Sequence, residues 1–118
     1  MTPEQLRDLA VAALEDRKGE EIRVLDVQGL TTISDYMIVV SGGSDRQVRA
    51  LADSVVERAR EAGVRPLGVE GEERGEWVLV DLGDVIVHAM QRPTRLFYQL
   101  EKLWSGGEET APHAEERA

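Results

Sequence analysis

The sequence predicts an α/β domain of α+β character, a mixed β-sheet flanked by helices in the order α-β-β-α-β-β-β-α. Three observations carry that prediction. Two amphipathic stripes recur at helical spacing, one over Leu6–Leu14 and one over Val48–Ala59. Between and after them lie β-branched runs of strand length. Finally, the chain restarts as a helix at Pro93. With 118 residues there is room for one domain, assigned to residues 1–104, and an acidic tail over 105–118.

Each element has local reasons. In the first helix, over residues 2–18, Leu6, Leu9, Ala10, Ala13 and Leu14 share one face. Thr2 is placed to cap it, Pro3 fits its first position, Gln5 completes a capping box and Gly19 stops it. Ile22–Val27 and Tyr36–Ser41 read as strands joined by residues 28–34. Ser41-Gly42-Gly43-Ser44 then turns directly into a helix, with Ser44 and Gln47 forming a second capping box. Val48, Leu51, Ala52, Val55, Val56 and Ala59 are its buried face, and Gly63 ends it. A short strand is expected near 67–70, followed by strands over Glu76–Leu82 and Asp84–Met90. The closing helix carries Leu96, Phe97, Leu100, Leu103 and Trp104 as an apolar stripe. The tail holds four Glu and one Arg, a net of −3, without periodicity, and is expected to be disordered.

Composition narrows the function. Twenty-three acidic and 14 basic residues give a net charge of −9, which disfavours phosphate neutralisation as the main work and favours basic partners. Direct nucleic-acid binding is therefore not expected as the main contact. Without cysteine there is neither a disulfide framework nor a Cys-based zinc site. No apolar run approaches the roughly 18 residues needed to span a bilayer. The N-terminus lacks signal-peptide character, so a cytoplasmic protein with no membrane contact is expected.

The most informative segment is Trp77–His88. A two-residue loop at Leu82-Gly83 would set Asp81 opposite Asp84, Leu79 opposite Ile86 and Trp77 opposite His88. Those side chains share one face; Val78, Val80, Val85, Val87 and Ala89 share the other and belong against helices. Like charges facing each other across a ladder are unfavourable, so a cation, a basic partner or a longer turn should separate Asp81 from Asp84. A Trp beside carboxylates has the composition of a protein-docking patch. The same residues would serve as ordinary core if the sheet were covered on both faces.

Other chemistry is more weakly signalled. The Ser41–Ser44 turn has the strand-to-helix setting of a phosphate cradle but lacks the P-loop Lys and spacing, and a capped tight turn explains it as well. Asp81 and Asp84, with Asp26 as a third ligand, would be the carboxylates of a magnesium-dependent nucleotidyltransferase, the competing enzymatic reading. Of the two histidines, His113 lies in the tail and only His88 lies in the fold, too little for a triad or metallohydrolase. No cofactor or metal is expected.

Three segments carry a family resemblance. Residues Asp35-Tyr36-Met37-Ile38-Val39-Val40-Ser41-Gly42-Gly43-Ser44-Asp45-Arg46-Gln47-Val48 form the first. The second runs from Gly71 through Glu76-Trp77-Val78-Leu79-Val80-Asp81-Leu82-Gly83-Asp84 to His88, and the third is Arg95–Trp104. In this order, over about residues 4–104, they resemble the ribosomal silencing factor family, also called Iojap and also seen in mitochondria and chloroplasts. The resemblance implies a sheet similar to that of nucleotidyltransferases, without catalysis. It implies docking on the large ribosomal subunit through ribosomal protein fourteen, which blocks joining of the small subunit and represses translation. A homodimer is implied by the same analogy. Within the resembling segments, Trp77, Leu79, Asp81 and Asp84 are the expected docking residues, joined by His88 and Tyr98.

Overall fold

The computed structural model of the protein describes residues 1–103 and the backbone of 108–109. Helix α1 spans Pro3–Asp16, and its start is as the sequence predicts. The Gln5 N–H donates to Thr2 Oγ1 (3.1 Å) and the Thr2 N–H to Gln5 Oε1 (2.9 Å), closing the capping box. The left-handed residue that ends the helix is Lys18, at φ 59°, and not the expected Gly19, where glycine serves for space: a Cβ there would lie 2.6 Å from Val40 Cγ2.

Strand β1 (Glu20–Asp26) runs antiparallel to β2 (Tyr36–Gly42), with a bulge between Glu20 and Arg23. Helix α2 (Asp45–Glu61) follows. Ser44 Oγ caps it by accepting the Gln47 N–H (3.1 Å), but Gln47 Oε1 takes the Gly43 N–H (2.6 Å) and not that of Ser44, so the expected second capping box is displaced by one residue. Three strands come next: β3 (Gly68–Glu70), β4 (Trp77–Asp81) and β5 (Val85–Gln91). The closing helix is broken into α3 (Arg92–Tyr98) and α4 (Leu100–Leu103) by Gln99, which adopts the left-handed conformation at φ 46°. A two-residue strand, β6 (Glu108–Glu109), pairs with β1. The rest of the expected disordered tail, and Trp104, lie outside the described residues.

The sheet order is β3-β4-β5-β2-β1-β6, and β2–β5 is its parallel pair, as a crossover through α2 requires. It is the mixed sheet flanked by helices that the sequence predicts. One face is covered by α1 and α2, where Ile22, Val24, Ile38, Val40, Val78, Val80, Val85, Val87 and Ala89 meet Leu6, Leu14, Leu51 and Val55. The opposite face has a smaller core of Leu25, Val27, Met37, Val39 and Met90, against which Trp77 and Leu100 pack. No helix among the described residues is long and apolar enough to cross a membrane.

Candidate protein-docking site

The β4–β5 hairpin differs from the expected register, and the difference sets the site. The loop is Gly83-Asp84, flanked by a Leu82 N–H···O=C Val85 bond of 2.9 Å. Opposite pairs are therefore Asp81–Ile86, Leu79–His88 and Trp77–Met90. The cause is Gly83: at φ 90° it takes the first central position of a tight hairpin turn, a conformation that would strain Leu82. Moving the loop by one residue shifts the pairing by two, so the alternation of faces survives. Val78, Val80, Val85, Val87 and Ala89 point at the helices as predicted.

Asp84 leaves the ladder and enters the turn, which removes the like-charge pairing with Asp81. Its carbonyl accepts from the Asp35 N–H (2.9 Å), the Tyr36 N–H (3.0 Å) and Ser34 Oγ (3.3 Å), tying the turn to the start of β2. Asp81 instead caps the turn, with Oδ1 accepting the Gly83 N–H at 2.8 Å. Trp77, Leu79, Asp81 and Ile86 remain half-buried on the face away from α1 and α2, and Asp84 is exposed at its end.

Trp77 is the best-supported side chain of this face. Its Nε1–H donates to His88 Nδ1 at 3.0 Å. Nδ1 is thus an acceptor, which puts the proton of neutral His88 on Nε2. Burial lowers the His88 pKa from 6.5 to about 4, so the imidazole is neutral across ordinary pH and remains a stable acceptor. On the other side the Tyr98 ring lies 5.0 Å from the indole, tilted by 51°, and Phe97 meets Tyr98 edge-on at 5.0 Å. The indole donor is satisfied inside the protein, so what Trp77 presents outward is ring surface.

His88 and Tyr98 thus flank Trp77, and His88, only 6% exposed, acts from beneath the surface. The sequence reading missed the neighbouring apolar surface of α3 and α4. Leu96, Phe97 and Leu103, read from the sequence as part of one apolar stripe, are 72%, 80% and 73% exposed. The break at Gln99 destroys that spacing, and a left-handed Gln has no clear sequence signal. Arg95 was also missed as a structural residue.

The enzymatic reading needs converging carboxylates. Among the described residues no three His, Asp or Glu side chains converge where a metal ion could be held. Asp26 Oδ1 accepts from the Gln28 N–H (3.0 Å), local to its own turn, as Asp81 Oδ1 is to Gly83. The Ser41–Ser44 turn is a packed βα connection: a Cβ on Gly42 would meet Val48 Cγ2 at 2.9 Å, and the Gly43 N–H is taken by Gln47.

Comparison with known proteins shows the family. The family model described as ribosomal silencing factor during starvation matches residues 1–118. The chain belongs to the ribosomal silencing factor family. A relative named ribosomal silencing factor from Chromobacterium violaceum is 51% identical over 106 residues, 90% of this chain and 87% of the relative. A crystal structure of a protein from the same organism superposes with a TM-score of 0.88 at 50% identity, covering 94% of this chain and 92% of the other. A mouse relative named mitochondrial assembly of ribosomal large subunit protein 1 is 31% identical, covering 83% of this chain and 44% of that protein.

Proposed function

We propose that this silencing factor docks, through the β4–β5 face centred on Trp77, on the large ribosomal subunit at its basic ribosomal protein fourteen. Occupying that surface excludes the small subunit and represses translation in the cytoplasm. The mechanism is steric, with no bond made or broken. The observation that carries the reading is the half-buried Trp77, braced by His88 and Tyr98 and set in one face with Leu79, Asp81 and Ile86.

An aromatic anchor held rigidly before binding loses little entropy on association. Carboxylates beside it orient a basic partner and speed encounter, and the net charge of −9 acts in the same sense. The large-subunit assignment draws support from the name of the mouse relative. A second copy of this chain is the competing occupant of the face, since exposed Leu96, Phe97 and Leu103 border it through Tyr98.

The deciding experiment is cosedimentation with purified large and small subunits, comparing the wild type with the Trp77→Ala, Asp81→Ala double variant. The expected result is selective binding to the large subunit, lost in a double variant that remains folded. Binding of the wild type to neither subunit would end the reading. Sedimentation of the protein alone, before and after Trp77→Asp, separates self-association from ribosome docking. A variant that loses its dimer but stays on ribosomes would show that the patch had been assigned to the wrong partner.

A further inference from the structure

We infer that Arg95 is a positioning residue of the docking site: it locks the α3–α4 segment across the sheet, so that Tyr98 holds the Trp77 indole in place. The inference rests on the docking role of Trp77 proposed above, and it adds a residue outside the docking face. The argument begins with burial. Arg95 is 8% exposed, yet it carries a charge. Buried cations persist only where their donors are met.

Here they are met from three elements. Arg95 Nη1 donates to the Glu21 carbonyl of β1 (2.7 Å) and to Ser41 Oγ of β2 (2.8 Å). Nε and Nη2 both reach Glu101 Oε2 of α4, at 3.1 and 2.8 Å. Burial works to raise the Glu101 pKa, but the hydrogen bonds and charge of Arg95 outweigh it, and the carboxyl sits below its usual range.

The backbone is bent to make these bonds. Of the three non-glycine residues at positive φ among the described residues, two serve Arg95. Glu21, at φ 49° in the β1 bulge, supplies one acceptor. Gln99, at φ 46°, breaks the closing helix so that Glu101 returns to Arg95. Strain of this kind persists where the surroundings over-determine a geometry, and it concentrates at functional sites. A stability role alone does not require it, since an apolar side chain can replace a buried ion pair at little cost.

The register shows what the geometry is for. Trp77, Met90, Ser41 and Glu20 lie opposite one another across β4, β5, β2 and β1. The α3 segment crosses that row. Arg92 pairs with Glu20, Arg95 bonds Ser41, and Tyr98 rests on Trp77. Arg95 is thus the central fastening of a brace whose far end supports the anchor. A lysine, with one compact ammonium in place of a planar fork, does not reproduce the arrangement.

The test is a double-mutant cycle of Arg95→Met and Tyr98→Ala in a Trp104→Phe background, in which Trp77 is the one emitting tryptophan. Two quantities are read: affinity for purified large subunits and the Trp77 emission maximum of the free protein. The expected result is a red shift and about a tenfold loss of affinity for Arg95→Met, with no further loss once Tyr98 is already alanine. Equal losses in the two backgrounds, or an unchanged emission maximum, would overturn the inference.

If Arg95→Met fails to unfold cooperatively, Glu101→Gln replaces it in the same cycle, with a smaller loss of the same non-additive form expected; additive losses again overturn it. Should the wild type bind no large subunit, the docking reading falls by itself. Emission then still decides whether Arg95 acts on Trp77: a red shift sustains that coupling, and an unchanged spectrum refutes it.

Discussion

Strands β4 and β5 present two faces built from alternate residues of the same short segments, and the two behave differently. Toward α1 and α2 stand Val78, Val80, Val85, Val87 and Ala89, all buried to 0% exposure. Away from those helices stand Trp77, Leu79, Asp81 and Ile86, all half-buried, together with His88 and Met90, which are buried. Small β-branched side chains form an even surface on which helices pack closely. Large and charged ones form an uneven surface, braced here by single contacts such as Trp77 Nε1–H···Nδ1 His88. The first face carries the principal core, and the second combines a smaller core around Met90 with half-buried side chains.

The largest expected effect breaks that comparison directly. Val80→Asp places a carboxylate among the helices and costs several kcal/mol, on the order of the whole stability of a small domain. Leu79→Asp, one residue away, is expected to leave a folded protein about 1 kcal/mol weaker and unable to dock. Urea unfolding of both, with subunit cosedimentation of the second, checks this. Equal destabilisation by the two would mean that the faces do not differ in kind.

Next comes pH. The His88 pKa is lowered in the folded state, so above pH 6.5 the native and unfolded forms bind equal numbers of protons at this site. Between 6.5 and about 4 the unfolded chain binds more, and stability falls as pH falls. The difference between 6.5 and about 4 corresponds to roughly 3 kcal/mol at most. His88→Gln keeps an acceptor for Trp77 and removes the titration. Its stability should therefore slope less than that of the wild type between pH 6.5 and 5. A wild-type slope retained in the variant would place the titration elsewhere.

Smaller in stability, but larger in function, is Trp77→Ala. Losing a central aromatic anchor is expected to weaken large-subunit binding by at least about thirtyfold. Because the indole is half-buried, the fold should survive a loss of about 1 to 3 kcal/mol. Unimpaired binding would move the anchor off this face.

Much of this was legible in the sequence because it rests on period. The alternation in 77–90 assigned each side chain to its face, and two helical stripes located the principal core. What was not legible depended on contacts between distant segments. The carbonyl acceptor for Arg95 exists because β1 bulges at Glu21, and the exposure of Phe97 follows from a break at Gln99. Neither residue type announces such backbone. The hairpin loop lay between these cases. Gly83 marked a turn, but either neighbour could share it, and the left-handed requirement at its first central position decides for Gly83-Asp84.

That loop supplies the smallest and sharpest test. Had Asp81 and Asp84 faced each other across the ladder, removing either charge would stabilise the protein by several tenths of a kcal/mol. In the observed turn Asp84 is exposed and contributes its carbonyl, which any residue supplies, so Asp84→Ala should change stability by less than about 0.5 kcal/mol. Asp81→Ala removes the acceptor of the Gly83 N–H and should cost about 1 kcal/mol. The two aspartates therefore differ in kind: one works through its side chain, the other through its backbone. Thermal unfolding of the two single variants reads the difference, and stabilisation by either substitution would restore the facing pair.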